Sequence, residues 1–124
     1  MRQSQENDFE IQFFESLLRR TPRDPYVVEI LGGLYSRRGR VDDGLRMDRR
    51  LIRLQPDNPT AYYNLACSLA LKQRKADALR ALHEAVERGY LDFEWMRQDP
   101  DLECLWDHPK FCRLIEELER SAFS

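Results

Sequence analysis

Apolar positions along this chain recur every three to four residues rather than alternately, the spacing of helices with one buried face. Val27, Val28, Leu31, Leu34 and Tyr35 form one such run, and Tyr62, Leu65, Leu69 and Ala70 another. Leu45, Leu51 and Ile52 mark a helix after the first run; Ala78, Leu82, Ala85 and Val86 mark its counterpart after the second. Asp24 and Asn58 are suited to capping, and each precedes a proline at the first helical position, where a missing N–H is harmless. Gly39 supplies a left-handed residue that ends one helix, and Gly89 stops another. The pattern predicts an all-α chain with helices over 8–20, 25–38, 42–54, 59–72 and 76–88, then two or three shorter ones.

The chain also repeats itself. Pro22 and Pro56 lie 34 residues apart, as do Pro25 and Pro59. Sliding 25–58 over 59–92 aligns Leu31 with Leu65, Arg40 with Arg74, Asp43 with Asp77, Leu45 with Leu79 and Arg46 with Arg80. Small residues coincide as well, Gly32 with Ala66 and Gly44 with Ala78. A two-helix unit recurring at this period is the signature of an α-solenoid.

With Leu31-Gly32 and Tyr35, Leu65-Ala66 and Leu69, Gly44 and Ala78, and the closing Pro22 and Pro56, residues 9–92 resemble the tetratricopeptide repeat (TPR) family. The resemblance implies a short right-handed TPR solenoid of antiparallel helix pairs forming a single domain. Its parts would be a half repeat over 1–23, repeats over 25–58 and 59–92, and capping helices over 93–124. Two positions depart from the pattern. Tyr90 replaces the closing proline, and Asp48 stands where Leu82 stands in the next unit, so either the helix is rotated or an arginine pairs with the carboxylate.

Before Pro22, Phe14 and Leu17 read as the inner face of a second helix without its first, capped by Asn7 or Asp8. After residue 92, Asp99-Pro100 and His108-Pro109 open further helices. This stretch resembles a terminal element common after such repeats in bacterial proteins. Leu102, Leu105, Trp106, Phe111, Leu114, Ile115 and Leu118 would cover the last repeat.

Composition narrows the class without naming a partner. The net charge of −2 is uneven: residues 1–18 sum to −3, 19–53 to +5, 54–90 to +1 and 91–124 to −5. The first residues show no secretory signal, no apolar stretch is long enough for a bilayer, and three cysteines lack framework spacing. A cytoplasmic setting is expected. No phosphate loop, nucleophile elbow or zinc-binding helix motif occurs, so no catalytic residue and no cofactor is assigned. Cys104, His108 and Cys112 are spaced by four but are interrupted by Pro109, and no metal site is assigned to them. His83 reads as solvated, and Gly32-Gly33 as serving helix packing.

The function expected is that of a small adaptor or scaffold. Proteins resembling this family bind peptides in a concave groove lined by the first helices. Mapped here, that surface is Tyr26, Glu29, Ile30, Gly33 and Arg37, then Thr60, Tyr63, Asn64, Cys67 and Leu71. Only Asn64 matches the family's carboxylate clamp, so recognition of a peptide C-terminus is not expected. Phe9 and Phe13 offer a second interface, for a partner helix or a homodimer. Arg46, Arg49, Arg50 and Arg53 form a stripe readable as a footprint for an anionic partner or as a solvated outer face. Without interleaved aromatic residues the stripe is a poor nucleic-acid platform. A single-client secretion or assembly chaperone is the alternative role.

Overall fold

The computed structural model describes residues 2–123, with side chains from residue 8 onward. Its described residues are helical and contain no strand. The elements are α1 (Arg2–Arg20), α2 (Pro25–Arg37), α3 (Val41–Leu54), α4 (Pro59–Leu71), α5 (Lys75–Glu87), α6 (Phe93–Met96), a 3-10 helix (Pro100–Leu105) and α7 (Pro109–Ala122). They form two compact units, Met1–Asp57 and Asn58–Ser124.

The two repeats are built alike, down to their caps. Asp24 accepts the Tyr26 amide at 3.0 Å, and Asn58 accepts the Thr60 amide at 3.0 Å. In each second helix one aspartate holds two arginines: Asp43 pairs with Arg40 and Arg46, Asp77 with Arg74 and Arg80. Gly39 ends the first hairpin's turn at φ +80°, and Gln73, its counterpart, adopts φ +62°.

In the first unit, Val28, Leu31 and Leu51 fill the seam between α2 and α3. Helix contact is close because a Cβ on Gly44 would stand 3.1 Å from Ser36 Oγ and 3.4 Å from the Gly32 carbonyl oxygen. Asp48 is buried, beside Gly32, so α3 is not rotated, and its carboxylate is engaged rather than free.

The N-terminal helix differs from expectation in its start. It begins at Arg2, because no breaker precedes Asp8, and residues 2–6 continue it rather than folding back. Asp8 is therefore not a cap; it receives Arg38 at 2.9 and 3.2 Å, and that guanidinium holds its carboxyl below the usual carboxylate range. The side chain of Asn7, the other candidate cap, lies outside the described residues. Among the described side chains of α1, Ile11 and Leu18 are buried, while Phe14 and Leu17 are half-covered.

In the second unit, α5 and α7 begin 34 residues apart, and so do α4 and α6. Residues 93–122 thus keep the repeat's register in degenerate form. The first helix of this third pair is broken because a residue before proline is driven out of the helical region; Asp99 takes φ −68°, ψ 112° and caps the 3-10 helix instead. Leu102, Leu105, Phe111, Leu114, Ile115 and Leu118 are buried as expected. Trp106 is half-covered, and its indole N–H is buried without a hydrogen-bond partner among the described residues.

Candidate functional site

On α2, the residues assigned to a binding surface emerge together. Tyr26, Ile30, Gly33 and Arg37 follow one face at i, i+4, i+7 and i+11, with Glu29 beside them. Tyr26 is 70% exposed; Glu29, Gly33 and Arg37 are exposed, and Ile30 is half-buried. The two adjacent glycines have opposite roles. A Cβ on Gly32 would meet Met47 Cβ at 3.3 Å, whereas a Cβ on Gly33 would meet nothing within 4 Å. Gly32 serves packing; Gly33 does not, contrary to the sequence-based expectation.

On α4 the corresponding face is largely occupied. Thr60 and Leu71 are exposed and Asn64 is half-buried, but Tyr63 is only 5% exposed and Cys67 is buried. The segment that opens the 3-10 helix covers them. Asp99, itself buried, accepts the Tyr63 hydroxyl at 2.6 Å, stands 3.7 Å from Cys67 Sγ and accepts the Asp101 amide at 3.0 Å. Tyr90 stacks on Tyr63 with ring centroids 4.3 Å apart. Tyr63 is therefore not a free anchor for a partner. Its covering arises from a residue 36 positions away, which helical spacing does not reveal.

The same cluster brings ligand-type atoms of Cys67, Asp99 and Asp101 within 4.8 Å of one another. Its hydrogen bonds tie the opening of the 3-10 helix to α4. Burial, and then the nearby Asp99 and Asp101 carboxylates, push the Cys67 thiol far up. Burial also raises the Tyr63 hydroxyl and, with Asp99 close by, the Asp101 carboxyl. Cys104, His108 and Cys112 serve separate ends: Cys104 donates to the Ala70 carbonyl, Cys112 to the Trp106 carbonyl, and His108 caps α7.

The other two candidate surfaces lie in the first unit. Phe9 is 71% and Phe13 56% exposed, and Phe13 meets Phe14 edge-on at 5.1 Å. Phe13 stands 34 residues before Met47, whose side chain is buried beside Gly32 of its own first helix. Along α3, Arg46, Arg49 and Arg53 are exposed and Arg50 is half-covered. Asp43 holds Arg46, and the Pro22 carbonyl accepts from Arg50 at 2.6 Å, so the stripe is partly neutralised by its own unit.

With this geometry in view, the chain can be set beside known proteins. A structure titled "Crystal structure of MamA" superposes with a TM-score of 0.75 over 94% of this chain and 69% of that one, at 19% identity. The fold is TPR-like. A chloroplastic protein of Arabidopsis thaliana is 29% identical over an alignment of 116 residues that covers 90% of this chain. The chain spans only 35% of that protein's length. No known family's sequence profile matches. Among the described residues, no helix is long and apolar enough to cross a membrane.

Proposed function

We propose that the chain is a non-enzymatic interaction module, an adaptor that holds a peptide or protein segment against the exposed face of α2. The observation that carries this reading is Gly33. A glycine inside a helix costs about 0.5–1 kcal/mol relative to alanine. Packing excuses that cost at Gly32 but not at Gly33, where a methyl group would meet open space. A glycine there gives a partner backbone room to approach, between the rigid ring of Tyr26 on one side and Arg37 on the other. The TPR-like fold supports the reading, because such folds serve typically as protein-interaction scaffolds.

The test separates stability from binding. Partners are captured on the wild-type chain and identified by mass spectrometry, and their affinity is then measured for Gly33→Ala and Tyr26→Ala. Gly33→Ala is expected to raise the melting temperature and at the same time weaken binding; Tyr26→Ala weakens it by about 2 kcal/mol. A Gly33→Ala chain that is more stable and binds equally well removes the basis of the proposal.

A second reading rests on α1. Phe13 occupies the position that Met47 fills in α3, yet its ring is exposed where the Met47 side chain is buried. A partner helix laid there, from another protein or a second copy, would cover Phe9 and Phe13. Sedimentation of the wild type against Phe13→Glu tests the self-association branch: a chain that is monomeric at all concentrations leaves only the hetero-partner branch.

A further inference from the structure

We propose that the cleft between α5 and α7 binds an acidic peptide segment that carries an apolar side chain. The cleft encloses about 570 Å³. Lys75, Arg80 and His83 line it from α5, and His108, Lys110 and Arg113 from α7. The chain has only two histidines and three lysines, and this one cleft gathers both histidines and two of the lysines. Three of these six basic residues belong to a stretch, 91–124, whose net charge is nonetheless −5.

Three acidic residues of this unit are committed to arginines. Asp77 holds Arg74 and Arg80, Glu84 holds Arg88, and Glu119 holds Arg97 at 2.5 Å. Lys75, Lys110 and Arg113 enter no ion pair among the described residues. One carboxylate, Glu117, lines the cleft. His108 accepts the Lys110 amide on Nδ1 at 3.2 Å, which places its proton on Nε2 as a donor. The floor is apolar: Ala76 is exposed there, above the largely buried Leu79 and Leu114.

This combination selects among anions. A bare polyanion would be served by the rim alone and would leave Ala76 and the apolar edge around it wet. An amphipathic segment satisfies both parts, with carboxylates toward the lysines and arginine and one aliphatic side chain on the floor. The long lysine stems can lie along that side chain while their ammonium groups stay in water.

The test uses the full chain and a fluorescein-labelled helical peptide bearing one glutamate and one leucine per turn, followed by anisotropy. Binding is expected, weakening about tenfold or more in Lys110→Glu/Arg113→Glu and less in Lys110→Gln/Arg113→Gln. These side chains are exposed, so the melting temperature checks that both variants remain folded. Amide shifts in nuclear magnetic resonance should map to Leu79, His83 and Leu114. No binding, or binding unaffected by charge reversal, overturns the proposal. So does a polyglutamate without leucine that binds as tightly, or a single-stranded oligonucleotide that binds more tightly. Tyr26→Ala and Gly33→Ala on α2 should leave the peptide affinity unchanged, so failure here is separate from failure of the α2 reading.

Discussion

Replacing Tyr63 by phenylalanine removes one oxygen and, with it, the hydroxyl–carboxylate bond that ties Asp99 to α4. The lost bond is short, 2.6 Å, and runs from a hydroxyl to a carboxylate, with both residues 5% exposed. A hydrogen bond to a charged group is worth about 1.5–3 kcal/mol, and its removal leaves the partner buried and short of a donor. A loss of about 2 kcal/mol follows, since Asp99 keeps the Asp101 amide. At the usual unfolding entropy per residue, a chain of 124 residues then melts about 8 °C lower. Urea unfolding followed by tryptophan fluorescence is the suitable assay, because Trp95 and Trp106, the chain's two tryptophans, flank this segment. Asp99→Ala should cost more, since it also removes the 3-10 cap. The double variant should show a coupling of about 1 kcal/mol or more. Tyr63→Phe within about 0.5 kcal/mol of wild type, or a coupling near zero, refutes the idea that this bond holds the segment.

Three further outcomes are expected. Gln73→Gly should stabilise the second unit by about 0.5–1 kcal/mol in chemical denaturation, because Gln73 sits at φ +62° where its counterpart is Gly39; an unchanged midpoint would show that the turn is unstrained. Above pH 10 stability should fall: burial and Glu15 push the Tyr35 hydroxyl up to about 12, and burial does the same for Tyr90, so the unfolded chain loses these protons first and alkali favours it. Melting curves across that range, with tyrosinate absorbance, check this, and full tyrosine ionisation near pH 10 in the still-folded chain would contradict it. Deleting residues 91–124 should cause aggregation or a large drop in melting temperature, because Leu102, Leu105 and Leu114 would no longer cover α4 and α5; a soluble, equally stable remainder would make the tail a mere tether.

Much of the fold was legible because its determinants are local. The Asp24-Pro25 and Asn58-Pro59 caps place two helix starts to the residue, and apolar spacing predicts their inner faces. The start of α1 was not legible, since a helix running on past Asp8 leaves no breaker to read. The candidate site was legible on α2, where Tyr26 and Arg37 emerge as spacing requires, and misjudged on α4. Spacing places Tyr63 on the equivalent face, but whether that face is open depends on Asp99, far along the chain. For the same reason Tyr63→Ala should unfold the segment. Gly32 and Gly33 are adjacent letters with opposite environments, and the positions of Met47 and Asp48 on α3 distinguish them.

The Tyr63–Asp99 bond also sets an order in time. Hairpin α2–α3 closes through residues 38–40 and α4–α5 through residues 72–74, so each forms from neighbours in the chain and needs little loop entropy. Docking the 3-10 helix requires a closure of 36 residues and a preformed α4 to receive it. Contacts around Asp99 should therefore form after the folding barrier. Tyr63→Phe would then speed unfolding while leaving the folding rate nearly untouched, a low φ-value in a chain whose hairpin positions give high ones.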